Sequence, residues 1–441
     1  MEKRLYIKTF GCQMNVHDSA RIAEIMGANG YVLWDDPKTA DVALVNSCTV
    51  REKAWHKAIS EAGRLRKHKS PRRRIVVGIV GCVAQQEGER VFRLVPGVDL
   101  VVAPDHYREL PRLVDEVLDE GVERALTGFD GGAEGDFLGA APGIGSGQAT
   151  AFVTVMKGCQ ERCAYCIVPT VRGPERHRPS GDIVDEVGNL VSAGVREVTL
   201  LGQKVNAYRR EDEEFVSLLE RLDAIEGLWR LRFTSPHPRH MTEPLTAAYG
   251  RLGTLCESIH LPVQSGSDRT LARMGRRYTS GFYRDVVRRL REARPDIAIS
   301  TDLIVGYPGE TGDDFADTLG LIDDVGFCAA FSFKYSPRPG TRAAGLEDDV
   351  SDEEKARRLS LVHERVEALE RAHRGSMVGR TLEVLVEHVA RMPGQIGGRA
   401  RNGQIVNFVP DRGSFEELAG TLVDVEITEA HPHSLEGRVA P

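Results

Sequence analysis

Three of the eight cysteines lie in KGCQERCAYCIVP, at positions 159, 163 and 166, a C-x3-C-x2-C spacing. A loop this short wraps three thiolates around one iron–sulfur cluster, and three ligands leave one iron of a four-iron cluster open to chelate a small molecule. A structural zinc site is the competing chemistry, but zinc takes four ligands in paired C-x2-4-C spacings, and the segment has no second pair. A further three cysteines are dispersed. RLYIKTFGC ends at Cys12, DVALVNSC at Cys48 and IVVGIVGC at Cys82, each an apolar β-forming run that stops at a thiol.

Parallel strands present their C-terminal ends on one rim, where open α/β sheets bind ligands. Cys12, Cys48 and Cys82, 36 and 34 residues apart, are therefore expected to converge as another three-thiolate site. Any one of them alone would be read as a core cysteine. Their shared strand-end position, in the polar or glycine-turn contexts GCQMN, NSCTVRE and GCVAQQE, favours ligands. Cys256 and Cys328 lack that context and are expected in the core.

The elements that must position these thiols follow from periodicity. From residue 4 to about 118, strands alternate with amphipathic helices, among them SARIAEIMGANG (19–30) and HYRELPRLVDEVLDEG (106–121), as in a small parallel sheet with packed helices. Residues 127–148 carry eight glycines and no hydrophobic period and read as a linker; GIGSG within them lacks the Lys-Ser or Lys-Thr of a phosphate loop.

From 151 a βα repeat resumes, with strands expected at 151–158, 196–205, 231–236, 258–263, 297–306 and 327–336. Six units predict a partial barrel with its chemistry at the C-terminal strand ends. A charged helix at 351–375, with an apolar stripe through Leu359, Val362, Val366 and Leu369, is expected to pack along that barrel. Short alternating strands after it predict a small β-barrel. The expected domains are 1–122, a linker at 123–148, 149–376 for the barrel with its connector helix, and 377–441.

TFGCQMN (9–15), NSCTVREKA (46–54), GCVAQQEG (81–88), GCQERCAYCIVPTVRG (158–173), LLGQKVNAY (200–208), HLPVQSGS (260–267), DLIVGYPGET (302–311) and KYSPRPGT (334–341) together resemble the methylthiotransferases. These form a radical S-adenosylmethionine family with an N-terminal three-cysteine cluster domain, a partial (β/α)6 barrel and a C-terminal RNA-binding TRAM domain. The resemblance covers nearly the whole chain. CQMN and the later Cys-x-x-Arg-Glu-Lys-Ala are similar to the branch that modifies N6-isopentenyladenosine at tRNA position 37. The alternatives within the family are threonylcarbamoyladenosine of tRNA and a ribosomal protein.

The resemblance implies two 4Fe-4S clusters, a radical-generating one on Cys159, Cys163 and Cys166 and a sulfur-donating one on Cys12, Cys48 and Cys82, with S-adenosyl-L-methionine used twice. A radical is required because the adenine C2–H bond is neither acidic nor electrophilic. Tyr165, Gly202, Gln203, Ser235, Gln264 and Asp302 are the expected S-adenosylmethionine contacts; LLGQKVNAY stands where many superfamily members carry Gly-Gly-Glu. Expected partners are a tRNA anticodon loop, a flavodoxin- or ferredoxin-like reductant and a sulfur donor, for a monomer.

The net charge of −7 gives no global case for binding nucleic acid, so local patches must carry it. The run RLRKHKSPRRR (64–74) has seven Lys or Arg and no acid, and RNA contact is expected there and at Arg172, Arg176, Arg178, Arg399, Arg401 and Asn402, because Arg recognises phosphate bidentately. Single histidines such as His260 are expected to be structural. No apolar run is long enough to cross a bilayer and the N-terminus lacks a signal-peptide core, so a cytoplasmic protein is expected. A zinc-containing RNA-binding module without catalysis is the rival from another class.

Overall fold

In the computed structural model the described residues are 2–50, 52–69, 74–129, 137–138, 148–210 and 213–440. Most of the glycine-rich segment, with GIGSG, and residues 70–73 of the basic run lie outside them. The chain divides into two compact units. The first contains the N-terminal sheet together with Lys157–Glu161 and Cys166–Arg176, and the second contains Arg162–Tyr165 and the chain from His177 onward. Cys159 and Cys166 thus belong to the first unit and Cys163 to the second, whereas the sequence assigns all three to the barrel.

The first unit is a six-stranded sheet of β1 (Lys3–Phe10), β2 (Tyr31–Leu33), β3 (Val42–Ser47), β4 (Val76–Gly81), β5 (Leu100–Val102) and β6 (Arg124–Leu126), in the order β2-β1-β3-β4-β5-β6. Every neighbouring pair is parallel. Side chains alternate between faces as the period of two requires. Leu44, Val76 and Val80 pack with α1 (Gln13–Gly27) and α5 (Leu110–Glu120). Ala43, Val45, Val77 and Ile79 pack with α2 (Glu52–Leu65), α3 (Cys82–Glu87) and α4 (Arg90–Leu94) on the other face.

One expectation is corrected here: α1 starts at Gln13, six residues before the predicted start at 19. The first turn has no apolar period because Asn15, His17 and Asp18 are buried polar residues. Cys12 is the N-cap, its side chain taking the N3 backbone N–H while Asn15 reaches back to the Cys12 N–H.

In the second unit the six expected strands form two parallel triplets. Arg230–Phe233, Glu197–Leu201 and Thr150–Thr154 make one, and Ser258–His260, Ala298–Val305 and Ala329–Lys334 the other. Main-chain bonds from Leu231 N–H to Thr254 O (2.8 Å) and from Cys256 N–H to Leu231 O (3.0 Å) continue the first triplet toward the segment that leads into the second. Cys256 and Cys328 are core residues, as expected; burial pushes their thiols up to about 11 and about 12.

The connector helix runs over Asp352–Gly375. Its buried residues are Lys355, Arg358, Val362, Val366 and Arg374, which corrects the all-apolar stripe of the sequence reading. The three cations are tolerated because Lys355 meets Asp348 at 2.5 Å, Arg358 meets Glu310 at 2.7 Å and Arg374 meets Glu370 at 3.4 Å. The chain ends in a closed five-stranded barrel, Thr381–Val389, Ile396–Ala400, Ile405–Val409, Leu435–Val439 and Leu422–Ala430 in spatial order, filled by Val384, Val386, Val406, Phe408, Val425 and Ile427.

Candidate functional site

Register brings the dispersed thiols together. Phe10 of β1 lies opposite Ser47 of β3, and Ser47 opposite Gly81 of β4. Cys48 and Cys82 follow those partners directly and Cys12 stands one residue further on, with strands about 4.8 Å apart. The sheet order also reverses between β1 and β3, the switch point at which open α/β sheets bind ligands, and Cys12 and Cys48 flank it. Gly81 has φ +90°, and a Cβ there would fall 2.4 Å from Asn46 Oδ1. No other residue fits the turn that delivers Cys82. Asn15 and Asn46 hold the rim from beneath through Nδ2 of Asn15 to Oδ1 of Asn46 at 3.2 Å.

Electrostatics separate the three sulfurs. A hydrogen bond from Cys48 and the nearby Arg172 cation lower Cys12 to about 6, against the opposing effect of burial. Cys48 is held well above its ordinary value by that same bond, by burial and by Cys82; its Sγ accepts the Val50 N–H at 3.3 Å. Burial raises Cys82, and Arg172 opposes the rise. Arg172 donates from Nε to Cys82 Sγ at 3.1 Å and from Nη2 to Asp18 at 2.7 Å. All eight cysteines are free thiols. Among the described residues no group of three or more His, Cys, Asp or Glu is drawn tight enough for a single metal ion. A rim of soft sulfurs served by N–H donors has the donor chemistry of an iron–sulfur site.

In the first unit a glycine turn precedes Cys159. Gly158 has φ +78°, and a Cβ there would come 1.9 Å from Pro174 O. The Cys159 N–H bonds Gly173 O at 3.1 Å. Ile167 and Val171, the latter on α6 (Val168–Arg172), pack with Cys82. In the second unit Ala164 is held by bonds with Met274 O and the Ala343 N–H, 2.8 Å each. There the buried Arg276, fixed by Pro262 O and Tyr278 Oη at 3.0 Å each, directs Nη1 to Cys163 Sγ at 3.5 Å.

The expected S-adenosylmethionine contacts stand at barrel strand ends. Ser235 (φ +57°) and Gln264 (φ +77°) are two of the three non-glycine residues with left-handed backbone among those described; the third, Arg277, follows Arg276. Such strain is held where a site needs a particular geometry and costs on the order of 1–3 kcal/mol per residue. Gln264 exchanges main-chain bonds with Asp302 O and the Ile304 N–H, 2.9 Å each. The Asp302 carboxylate lies 3.4 Å from His260 Nε2, and His260 Nδ1 is 3.0 Å from Ser300 Oγ, the structural role expected of that histidine. Gly202 is buried against Met156, Gln203 follows it half-buried, and Tyr165 packs with Tyr307 and Tyr335.

The arginines selected for RNA are all engaged within the protein. Arg172 is 5% exposed and holds Asp18 and Cys82. Arg176 pairs with Asp105 at 2.7 Å and Arg178 with the buried Glu186. Arg401 binds Glu257 at 2.9 Å and the carbonyls of Gly253 and Leu255, Arg399 turns to Gly403 O at 3.0 Å, and Asn402 bonds the Gln404 N–H. In the basic run Arg64 pairs with Glu61, Lys69 with Asp99, and Arg66 and Arg74 bond main-chain carbonyls. Acids and main-chain carbonyls of the fold engage these cations, which no count of basic residues reveals. Sequence reading missed Asp18, Arg276 and Lys157; burial lowers Lys157 to about 8. Asp18 and Arg276 carried no motif, and only their burial marks them.

Residues 4–103 match Uncharacterized protein family UPF0004, 153–322 the Radical SAM superfamily and 375–440 the TRAM domain. Among solved structures, the radical S-adenosylmethionine methyltransferase TsrM from Kitasatospora setae aligns with a TM-score of 0.58 at 14% identity, over 78% of this chain and 74% of that one. The cobalamin-dependent S-adenosylmethionine radical enzyme OxsB aligns at 0.54 and 10% identity, over 83% and 56%. At such identities the likeness shows a shared fold. Sequence relatives are far nearer. The tRNA-2-methylthio-N(6)-dimethylallyladenosine synthase of Sorangium cellulosum is 46% identical over 99% of this chain and 93% of its own. That of Paraburkholderia xenovorans is 43% identical over 100% and 97%. With a rim of three thiols, a cysteine loop, a barrel and a closed C-terminal β-barrel in the same order along its length, the chain belongs to the tRNA-2-methylthio-N(6)-dimethylallyladenosine synthase family.

Proposed function

We propose that this protein is a radical S-adenosylmethionine enzyme that methylthiolates carbon 2 of N6-isopentenyladenosine at position 37 of tRNA. The observation that carries the reading is the register of β1, β3 and β4, which lines up Cys12, Cys48 and Cys82 on one rim, in a chain 43–46% identical to synthases of that name. In this reading Cys12, Cys48 and Cys82 hold one 4Fe-4S cluster and Cys159, Cys163 and Cys166 the other. Bound there with S-adenosyl-L-methionine, the clusters supply sulfur and the one-electron chemistry that an inert C–H bond demands.

The chain's own contribution is positioning and charge. Cys48 donates its proton toward Cys12, so the rim presents one sulfur as thiolate near neutral pH. Asn15 caps the strand-to-helix turn that carries Cys12. On the barrel side, Arg276 orients Cys163, and the strained backbones of Ser235 and Gln264 present a fixed strand-end surface for the S-adenosylmethionine. An anticodon loop suits the enzyme because an unpaired base can leave its stack to reach such a pocket. The C-terminal β-barrel is the proposed RNA-holding part, and a reductant and a sulfur donor complete the partners.

The test is mass spectrometry of tRNA nucleosides from cells lacking the gene, complemented with the intact chain or with Cys82→Ala. Return of the 2-methylthio derivative of isopentenyladenosine with the intact chain alone supports the proposal. Its return with both removes Cys82 from the essential set, and its absence with both expressed proteins refutes the substrate.

A further inference from the structure

Arg172 is the most constrained cation near the rim. It sits at the end of α6, a few residues beyond Cys166, and is 5% exposed. Nε donates to Cys82 Sγ at 3.1 Å and Nη2 to Asp18 Oδ2 at 2.7 Å. Asp18 is itself buried and takes a second bond from Tyr107 Oη at 3.4 Å. Nη1 is sealed from water and has no hydrogen-bond partner. Leaving a buried guanidinium N–H unanswered is costly, and a buried ion pair is weak evidence for stability. A packing role alone gives no reason to keep a donor idle beside three thiols. A sulfur-bearing anion on the rim supplies the missing acceptor and balances the cation.

We infer that Arg172 is a positioning residue of the rim: it fixes Cys82 and holds one further N–H and a positive charge for the anionic iron–sulfur group seated on Cys12, Cys48 and Cys82, making that group easier to reduce. This rests on the reading of the rim as a cluster site. Asp18, on α1 close after Cys12, sets the guanidinium in place and acts with opposite charge.

The experiment uses the full chain with Cys159, Cys163 and Cys166 changed to Ala, reconstituted with iron and sulfide so that only the rim is loaded. Iron and acid-labile sulfide are measured first; a parent that takes up neither refutes the cluster reading and this inference with it. In a loaded parent, titration with dithionite followed by electron paramagnetic resonance reads the inference separately. Arg172→Gln is expected to shift the reduction equilibrium at least tenfold against the reduced form, a fall of 59 mV for one electron, and Arg172→Lys to restore most of it. Asp18→Asn, which breaks the same ion pair by removing the anion, is expected to raise the potential. A purely structural salt bridge would be broken alike by both, so shifts of the same sign, or none, overturn the inference. Should Arg172→Gln fail to load, Asp18→Asn decides alone, a rise supporting the inference and a fall or no change overturning it.

Discussion

The two thiol sets reach similar surroundings by opposite routes. Cys12, Cys48 and Cys82 are collected from three strands by a parallel register, and a one-residue slip in any pair would disperse them. Cys159, Cys163 and Cys166 need only an eight-residue loop span and a glycine turn before it. Each set nonetheless has a buried arginine on one sulfur, Arg172 on Cys82 and Arg276 on Cys163. The difference teaches where each site is vulnerable. The rim depends on the whole sheet, and the loop on a few local bonds.

The most severe way to break the comparison is to delete a set. Changing Cys12, Cys48 and Cys82 together to Ala, or the other three, is expected to abolish modification while leaving about half the iron and sulfide in each case, as elemental analysis would read. Loss of all iron from either triple variant would show that the sets do not load independently. Next in size is backbone strain. Gly81→Ala forces a Cβ against Asn46 and Gly158→Ala one against Pro174 O. Each is expected to cost at least ~2 kcal/mol, seen as a fall of several degrees in Tm; Gly81→Ala should lower the thiol reactivity of the rim as well.

A finer contrast is pH. In metal-free protein, alkylation of Cys12 by iodoacetamide should follow its thiolate, rising through about pH 6 and levelling above it. Because the hydrogen bond from Cys48 holds Cys12 below its ordinary value, Cys48→Ala should move that midpoint upward. As a depressed thiol it contributes stability that is full above its unfolded value and is lost as pH falls through about 6. A midpoint unchanged in Cys48→Ala, read by peptide mass mapping, would refute the shared proton. The smallest effect is expected at Arg401→Ala. The pair with Glu257 is partly exposed, so the loss should be about 1 kcal/mol or less, and the salt dependence of tRNA affinity should stay unchanged because that guanidinium is engaged within the protein.

Legibility followed the same divide. The loop set was proposed from spacing alone, because three thiols within eight residues leave a local signature. The rim was readable only by asking what parallel strands do with their ends, and then by likeness to a family. The start of α1 escaped because capping by Cys12 and Asn15, not apolar period, begins that helix. The six barrel strands were visible as apolar runs, and the strain at Ser235 and Gln264 was not, since φ leaves no trace in composition. The partners of the RNA arginines were not legible, because charge in a sequence says nothing of the carboxylates that tertiary packing sets beside it. Asp105, Glu186 and Glu257 are remote in sequence or on other elements.

Strand Arg230–Phe233 carries two arginines that reach into the C-terminal β-barrel. Arg230, fully buried, bonds Arg399 O at 2.5 Å and Glu383 O at 2.8 Å. Arg232 bonds Ala400 O and Arg401 O at 2.9 Å each. Four rigid-fork bonds onto main-chain carbonyls act as rivets. A barrel riveted in this way cannot swing on a hinge of its own. Its place beside strand Arg230–Phe233 is therefore set by four main-chain anchors and not by a flexible joint.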